Sequence, residues 1–314
     1  MHYFCAMNQN LKNWGMLLLL AVVWGSSFIL MKRSMIDKPS GDAIFDNNQV
    51  AAMRMLIAAA VMLPFGIRHF GLIKSKKNLL HLLIVAFLGN FFPAFLFTYA
   101  ETGISSGYAG MLNSCTPVFT IIIGVLIFKQ ALIKLQVIGV LIGTGGIIWL
   151  VNSVSIVDTS GTFLHVLAVV IATLCYASSV NVIRYGLAHM KPLKITAIAF
   201  SFSFIPALIL FFYFDTPTTF LTNTYAPQAI WYVIVLAVFG TALSVIVFNQ
   251  LIAKSSALFA SSVTYFIPIV AVIIGFWDGE TLSIWQVAAM LVVLSGVYVA
   301  NVLGKRRKNK INEQ

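Results

Sequence analysis

Residues 24–27, Trp-Gly-Ser-Ser, sit in the middle of the first apolar run of this chain, and a related group, Tyr-Ala-Ser-Ser at 176–179, sits in another about 150 residues later. Aligned on the serine pairs, Trp24 falls on Tyr176, Gly25 on Ala177, Ser27 on Ser179 and Lys32 on Arg184. Other polar residues inside apolar runs are of the same kind: Asn90, Asn113, Asn181, Asn249, Thr264 and Tyr265. Rings, hydroxyls and amides stack on a solute and hydrogen-bond to it, but they do not break bonds without a nucleophile, acid and base brought together. On a lipid-facing surface such groups are costly, so they turn to the bundle interior or to a wet cavity. Two readings follow for them, the wall of a solute cavity or contacts between helices; Gly25 and Ser26 also permit close helix approach.

Pro117 and Pro268 are the candidates for gating or kinking. Proline has no N–H to donate, and its ring clashes with the carbonyl four residues earlier. That frees the carbonyls of Asn113 and Thr264, for a solute, for water or for a packing partner. Arg54 is the one basic residue well inside a run. About five residues from the end of its run, it is expected to snorkel outward or to meet an external acid, with solute binding as the other use of a helix-embedded charge. Glu101 is expected at the external mouth, as a solvated helix end.

Catalytic chemistry finds little support. His69, His81, His165 and His189 fall near the ends of apolar runs, with no Ser/His or His/Glu cluster. Cys5, Cys115 and Cys175 lack metal-ligand spacing, so neither a zinc site nor a disulfide framework is expected. Gly143-Thr-Gly-Gly has no Lys-Ser/Thr after it and no strand before it, so it is not a phosphate loop. With Gly139 it forms a Gly-xxx-Gly face for close packing. No catalytic residue, metal or cofactor is expected.

The elements that position these residues are membrane helices. The chain has 314 residues, 60% hydrophobic and 9% charged, against about 25% charged in soluble domains; its mean hydropathy is +0.95. A span needs about 20 mostly apolar residues to cross about 30 Å of hydrocarbon. Ten stretches qualify, near 14–33, 49–67, 79–100, 106–128, 134–151, 163–183, 193–213, 229–252, 257–277 and 284–303. The first reads as a retained helix rather than a cleaved signal.

The net charge of +11 would suggest nucleic acid in a soluble protein, but here the basic residues lie in short loops and a tail. With both termini in the cytoplasm, the Lys and Arg residues gather on that side, leaving Lys32, Arg33 and Lys38 outside and Arg54 within a span. This is the positive-inside bias. Asp37, Asp42, Asp46, Glu101, Asp158, Asp215, Asp278 and Glu280 all fall outside. The expected partners are the lipid bilayer and a small-molecule substrate, not nucleic acid.

The second half of the chain repeats the first. Residues 89–124 face 240–275 without a gap at an offset of 151, matching Phe97 to Phe248, Ser105 to Ser256, Pro117 to Pro268 and Gly124 to Gly275. Each repeat holds five spans, at 14–151 and 163–303, and a basic cytoplasmic tail follows at 304–314. Five is odd, so the second copy enters the membrane inverted. Inverted repeats build alternating-access carriers with a mid-membrane site between them. The expected fold is therefore all-α and polytopic, ten transmembrane helices in two inverted five-helix repeats.

The chain resembles the drug/metabolite transporter superfamily, specifically the ten-helix EamA-type permeases, from Trp14 to Leu303. The resemblance rests on VVWGSSF at 22–28, MRMLIAA at 53–59, and the runs TPVFTIIIG and FIPIVAVIIG before each repeat's fourth loop. The second repeat keeps the family's Gly-Glu corner in GETLSIWQ, 279–286, whereas the first has Lys129-Gln130. The resemblance implies a metabolite or amino-acid carrier, often an exporter, with a cavity lined by the first, third, fourth, sixth, eighth and ninth helices, in a bacterial-type inner membrane. An uptake permease of the same fold is the alternative within transporters, and a membrane-embedded enzyme the alternative outside them. With no Asp or Glu at mid-span, facilitated or exchange transport of a neutral or zwitterionic solute is expected.

Overall fold

The computed structural model describes residues 2–130, 134–153, 160–254 and 263–300. The basic tail and Ser256 lie outside the described residues. Apart from a single bridge between Ile36 and Ala43, the described residues are helices and loops.

Among the described residues, eight helices are long and apolar enough to cross a membrane: α1 (Lys12–Met35), α2 (Asn47–Ile67), α3 (Lys76–Ala100), α4 (Ser106–Leu126), α5 (Lys134–Asn152), α6 (Phe163–Gly186), α7 (Pro192–Tyr213) and α8 (Ala226–Leu251). Two shorter apolar helices follow, α9 (Val263–Trp277) and α10 (Ile284–Tyr298). Local chemistry sets their starts. Asp46 accepts from the amides of Asn48 and Gln49, and Gln49 Oε1 accepts from Asp46 N at 3.0 Å, closing a capping box on α2. Ser283 and Gln286 do the same for α10, and Ser75 and Ser105 cap α3 and α4.

The packing repeats itself between the halves. α2 lies along α7, and α5 along α10, as two flanking pairs. Between them α1 packs on α9 and α8, α6 packs on α4 and α3, and α4 meets α9. Leu20, Phe28, Met111, Leu112, Val169 and Ile267 are buried in this central cluster. Leu19, Phe65, Leu141, Ile148, Ile209, Phe212 and Leu291 stay exposed on the outer faces, as lipid-facing side chains would be.

α3 and α8 depart from regular α-helix at equivalent places. α3 widens into a π-helical turn at Phe87–Phe91, and α8 at Val238–Leu243, one repeat offset apart. α4 is interrupted at Ser114 and Cys115, restarting as Thr116–Leu126 with Pro117 in its first turn. There the missing N–H of proline costs no helix bond, and Thr116 Oγ1 donates to the Asn113 carbonyl at 2.9 Å. In α9, by contrast, Pro268 sits inside a helix that continues through it.

The α5–α10 pair depends on glycine. A Cβ at Gly296 would lie 2.3 Å from Gly143 N and 2.7 Å from Gly139 O, and neither backbone atom can yield. A Cβ at Gly145, on the other face of α5, would meet nothing within 4 Å among the described residues. We expect Gly296→Val to destabilise the protein by roughly 1–3 kcal/mol or more. Gly145→Ala should be neutral or gain up to about 1 kcal/mol of helix propensity. Thermal unfolding in detergent reads both, and equal melting of Gly296→Val and the parent would remove backbone contact as the constraint on this pair.

Candidate functional site

The π-turns create the site. A π-turn shifts the hydrogen-bond register and leaves carbonyls to be satisfied by other donors. In α3, Asn90 Nδ2 donates to Val85 O at 3.0 Å. In α8, Thr241 Oγ1 donates to Leu236 O at 3.0 Å. Asn90 and Thr241 occupy the same repeat position, as do Val85 and Leu236. Each half thus uses one side chain to answer a carbonyl five residues back.

Each π-turn also carries a glycine against which a serine of the other half is packed. A Cβ on Gly240 would lie 2.8 Å from Ser27 Oγ, and one on Gly89 would lie 2.3 Å from Ser179 Oγ. This places the Trp-Gly-Ser-Ser stretch. Ser27 of α1 crosses α8 at Gly240, and Ser179 of α6 crosses α3 at Gly89. The aromatic neighbours follow the same exchange. Trp24 packs on Phe248 with ring centroids 5.1 Å apart, and Tyr176 stacks on Phe97 at 5.9 Å. Trp24 Nε1 donates to Ser244 Oγ at 2.9 Å and to Gly240 O at 3.1 Å.

Between these walls lies a cavity of about 190 Å³. It gathers Trp24, Ser27, Asn90, Asn113, Tyr176, Asn249 and Thr264 of the residues expected from sequence. Helices α1, α3, α4, α6, α8 and α9 all contribute, and Arg54 of α2 and Thr196 of α7 join them. Asn249 Nδ2 donates to Thr196 Oγ1 at 2.6 Å.

Two expected residues lie elsewhere. Asn181 points between α6 and α4, donating to Thr120 O at 3.0 Å and Ala177 O at 2.9 Å. It stands two positions past the cavity-lining Ser179, and at about 100° per residue that is the opposite face of the helix. Tyr265 packs toward Val118, Ile147 and Val293, one such step away from Thr264. Pro117 and Pro268 are buried in α4 and α9 without lining the cavity.

Arg54 does not snorkel. It is 9% exposed, with Nε donating to Thr241 Oγ1 at 2.9 Å and Nη1 against Met31 Sδ at 3.5 Å. The surrounding stretch of α2, from Gln49 to Met55, is buried throughout, so at this height the helix has no lipid-facing side for a guanidinium to follow. Glu101 is not a solvated helix end either. It is buried, with Oε2 accepting from Ser106 Oγ at 3.4 Å and Oε1 without a hydrogen-bond partner among the described residues. Burial, and then the nearby negative Glu280, push its carboxyl well above the usual range.

Ion pairs tie the end of α1 and the segment after it to the corner between α9 and α10. Lys32 Nζ meets Glu280 Oε1 at 2.7 Å, Arg33 pairs with Asp278, and Lys38 Nζ meets Asp278 Oδ1 at 3.0 Å. Glu280 also accepts from Ser106 N and Gly107 N, both at 2.9 Å, capping the start of α4. The clasp joins α1 and α4 of the first half to the α9–α10 corner of the second. Burial opposes ionisation of Asp278, but the hydrogen bonds from Arg33 and Lys38 outweigh it and hold the carboxyl below its ordinary value. For Glu280, burial is likewise outweighed, by Lys32 and the amides of Gly107 and Ser106. Beneath the clasp, Phe28 and Phe97 meet edge to face at 5.7 Å.

The matching corner of the first half keeps the backbone and changes the chemistry. Gln130 N donates to Gly124 O at 3.0 Å, as Glu280 N does to Gly275 O at 2.9 Å. Lys129 and Gly279 both take positive φ, 52° and 91°. Gln130 is neutral, however, and accepts from Tyr185 Oη at 2.9 Å. Arg184, the repeat mate of Lys32, lies over the Tyr185 ring at 5.1 Å.

The polar-in-apolar pattern found most of the cavity, Ser179 included as the repeat mate of Ser27, but gave no sign of the π-turns, Thr241 or Thr196. The available signal was Gly-Asn at 89–90 recurring as Gly-Thr at 240–241, at the head of the aligned segment.

Comparisons with known proteins agree with this architecture. The EamA-like transporter family matches residues 13–152 and again 163–302. An uncharacterized transporter of Bacillus subtilis, YyaM, is 25% identical over 98% of this chain and 99% of its own length. An uncharacterized inner membrane transporter of Escherichia coli K12, YedA, is 27% identical over 95% of this chain and 92% of its own. A solved crystal structure shares the fold with a TM-score of 0.59 at 14% identity, covering 94% of this chain and 98% of that one. With its central cavity walled by equivalent positions of two repeats, the chain is a membrane protein that belongs to the EamA-like transporter family.

Proposed function

We propose that this protein is a secondary transporter of the inner membrane that exports a small metabolite, an amino acid or similar solute, by alternating access. In this reading ten helices span the bilayer as two inverted repeats, 14–151 and 163–303, with both termini in the cytoplasm. The observation that carries it is the matched wall: Ser27 on Gly240 and Ser179 on Gly89, with Trp24 on Phe248 and Tyr176 on Phe97. Two equivalent half-sites facing one cavity allow the same contacts to be exchanged between two orientations. The cavity volume suits a small solute, since a dry cavity of about 150 Å³ already holds benzene. Ring faces, amides and hydroxyls suit a partly apolar solute that is neutral or zwitterionic overall. In the proposed orientation, which the positive-inside distribution supports, the clasp of Asp278 and Glu280 lies on the external side and this conformation is read as the one sealed outward.

The reading is tested by profiling metabolites inside and outside cells that make the protein, against cells making the Trp24→Ala, Asn249→Ala double variant at equal membrane abundance. A set of compounds released with the parent and lost with the variant is expected. Compounds accumulated rather than released would reverse the direction, making it an uptake permease. No difference from cells lacking the protein would remove the transport reading.

The clasp makes a second prediction. Both carboxyls have lowered pKa values when clasped. Their contribution is therefore complete above the ordinary carboxylate value of about 4 and is lost as pH falls through the lowered values. Glu280→Gln, which gives this corner the residue of the opposite one, should favour the outward-open form by roughly tenfold or more through loss of charge-assisted bonds. The readout is labelling of Thr264→Cys by a membrane-impermeant maleimide from outside, with Cys5, Cys115 and Cys175 replaced. Labelling at neutral pH, where the thiolate is available, should accelerate in Glu280→Gln. An unchanged rate would mean the clasp does not gate the cavity.

A further inference from the structure

We propose that Arg54 is the acid-binding residue of the cavity, and that the transported solute carries a carboxylate seated against its guanidinium. The proposal rests on the transport reading above and names the chemical class of its substrate.

A cation buried in an apolar bundle without a counter-charge is among the costliest arrangements a fold can keep. Arg54 forms no ion pair among the described residues, and the carboxyl whose field reaches it, that of Glu101, is held toward its neutral form by burial. Arg54 is 9% exposed and lines the cavity. The ion pairs among the described residues join Lys32, Arg33 and Lys38 to Glu280 and Asp278 and do not include it. Its hydrogen bonds are one from Nε to Thr241 and one from Nη1 to the Met31 sulfur, a weak acceptor. Of the five donors of a guanidinium, those on Nη2 have no hydrogen-bond partner among the described residues. The fork that pairs with a carboxylate in two parallel bonds is therefore left for a ligand.

Its aim is fixed by the π-turn of α8. The Thr241 hydroxyl proton is committed to Leu236 O, so Thr241 Oγ1 meets Arg54 as an acceptor and holds Nε in place. The equivalent turn in α3 ends in the opposite polarity. Asn90 commits its Nδ2 to Val85 O and keeps its Oδ1 acceptor. One half of the cavity thus presents a charged donor and the other a neutral acceptor, a pair suited to the acid end and the amine or hydroxyl end of one small molecule.

The charge count selects a solute with a single carboxylate. Among the described residues no carboxylate side chain lines the cavity with Arg54, so one carboxylate neutralises it. A dianionic phosphate ester would leave net negative charge among apolar walls, and a cation would meet like charge.

The test is metabolite profiling, inside and outside cells, for the parent, Arg54→Gln, Arg54→Lys and Thr241→Val at equal membrane abundance. Compounds whose distribution depends on the parent should all carry a carboxylate. Arg54→Gln should reduce their movement at least tenfold. Arg54→Lys, which keeps the charge but not the fork, should retain part of it. Thr241→Val should raise the half-saturating concentration while leaving the maximal rate closer to the parent's. Should Arg54→Gln fail to reach the membrane, the last two variants carry the test. Protein-dependent movement of compounds without an acidic group would overturn the proposal and leave the transport reading standing, as would full-rate movement by Arg54→Gln. Movement confined to phosphate esters would replace the carboxylate by a different anion and overturn it also. An absence of protein-dependent movement in every arm would remove the transport reading, and this inference with it.

Discussion

Inside a bilayer a backbone carbonyl has no water to turn to, and the central part of this fold can be read as the working-out of that constraint at two places. Widening α3 and α8 into π-turns brings Gly89 and Gly240 to the crossing helices but leaves Val85 O and Leu236 O needing donors. Asn90 and Thr241 supply them. Both side chains also line the cavity, so they contribute to its polarity. The serines of α1 and α6 can then lie against glycine backbone, which brings Trp24 and Tyr176 to the same depth. Remove the carbonyl's demand and neither the close crossing nor the orientation of Thr241 toward Arg54 has a cause.

The two halves share geometry more faithfully than chemistry. The π-turns, the aromatic pairs and the corners at Gly124 and Gly275 coincide by repeat offset. Charge does not. Glu280 faces Lys32 where Gln130 faces Tyr185, and Thr241 supports a guanidinium where Asn90 supports none. Backbone features in a bundle are constrained by packing on all sides, whereas a side chain pointing into a cavity or a loop corner can change without disturbing a helix crossing. Divergence therefore collects where solute or solvent is met.

The sequence carried depth well and direction around the helix poorly. Trp24, Ser27, Asn90, Tyr176 and Asn249 were legible because a polar or aromatic group recurring mid-run has few places to go. Asn181 and Tyr265 satisfied the same rule and yet face neighbouring helices, since hydrophobic helices buried on several sides give no apolar stripe from which to read a facing. Arg54 failed for a related reason. Counting residues to the helix end gave its depth, but the buried stretch around it removes the outward route that snorkelling needs. Glu101 looked terminal because α3 ends there, while the α9–α10 corner that covers it is remote in sequence. The π-turns were invisible for want of any propensity that marks them; only the recurrence of Gly-Asn as Gly-Thr hinted at their positions.

The unequal corners at Glu280 and Gln130 have a kinetic consequence. If one face of a carrier is held shut by ion pairs and the other by neutral hydrogen bonds, the empty protein waits mostly in one orientation. A passive carrier cannot alter the equilibrium ratio of solute across the membrane, so a bias in waiting must be compensated elsewhere in the cycle. It appears as unequal apparent affinities on the two faces, tighter where the protein waits and weaker where it does not. On the proposed orientation the carrier would capture solute from a dilute internal pool and release it into a medium where rebinding is slow, so that one acidic residue in place of an amide sets the concentration range in which each face works.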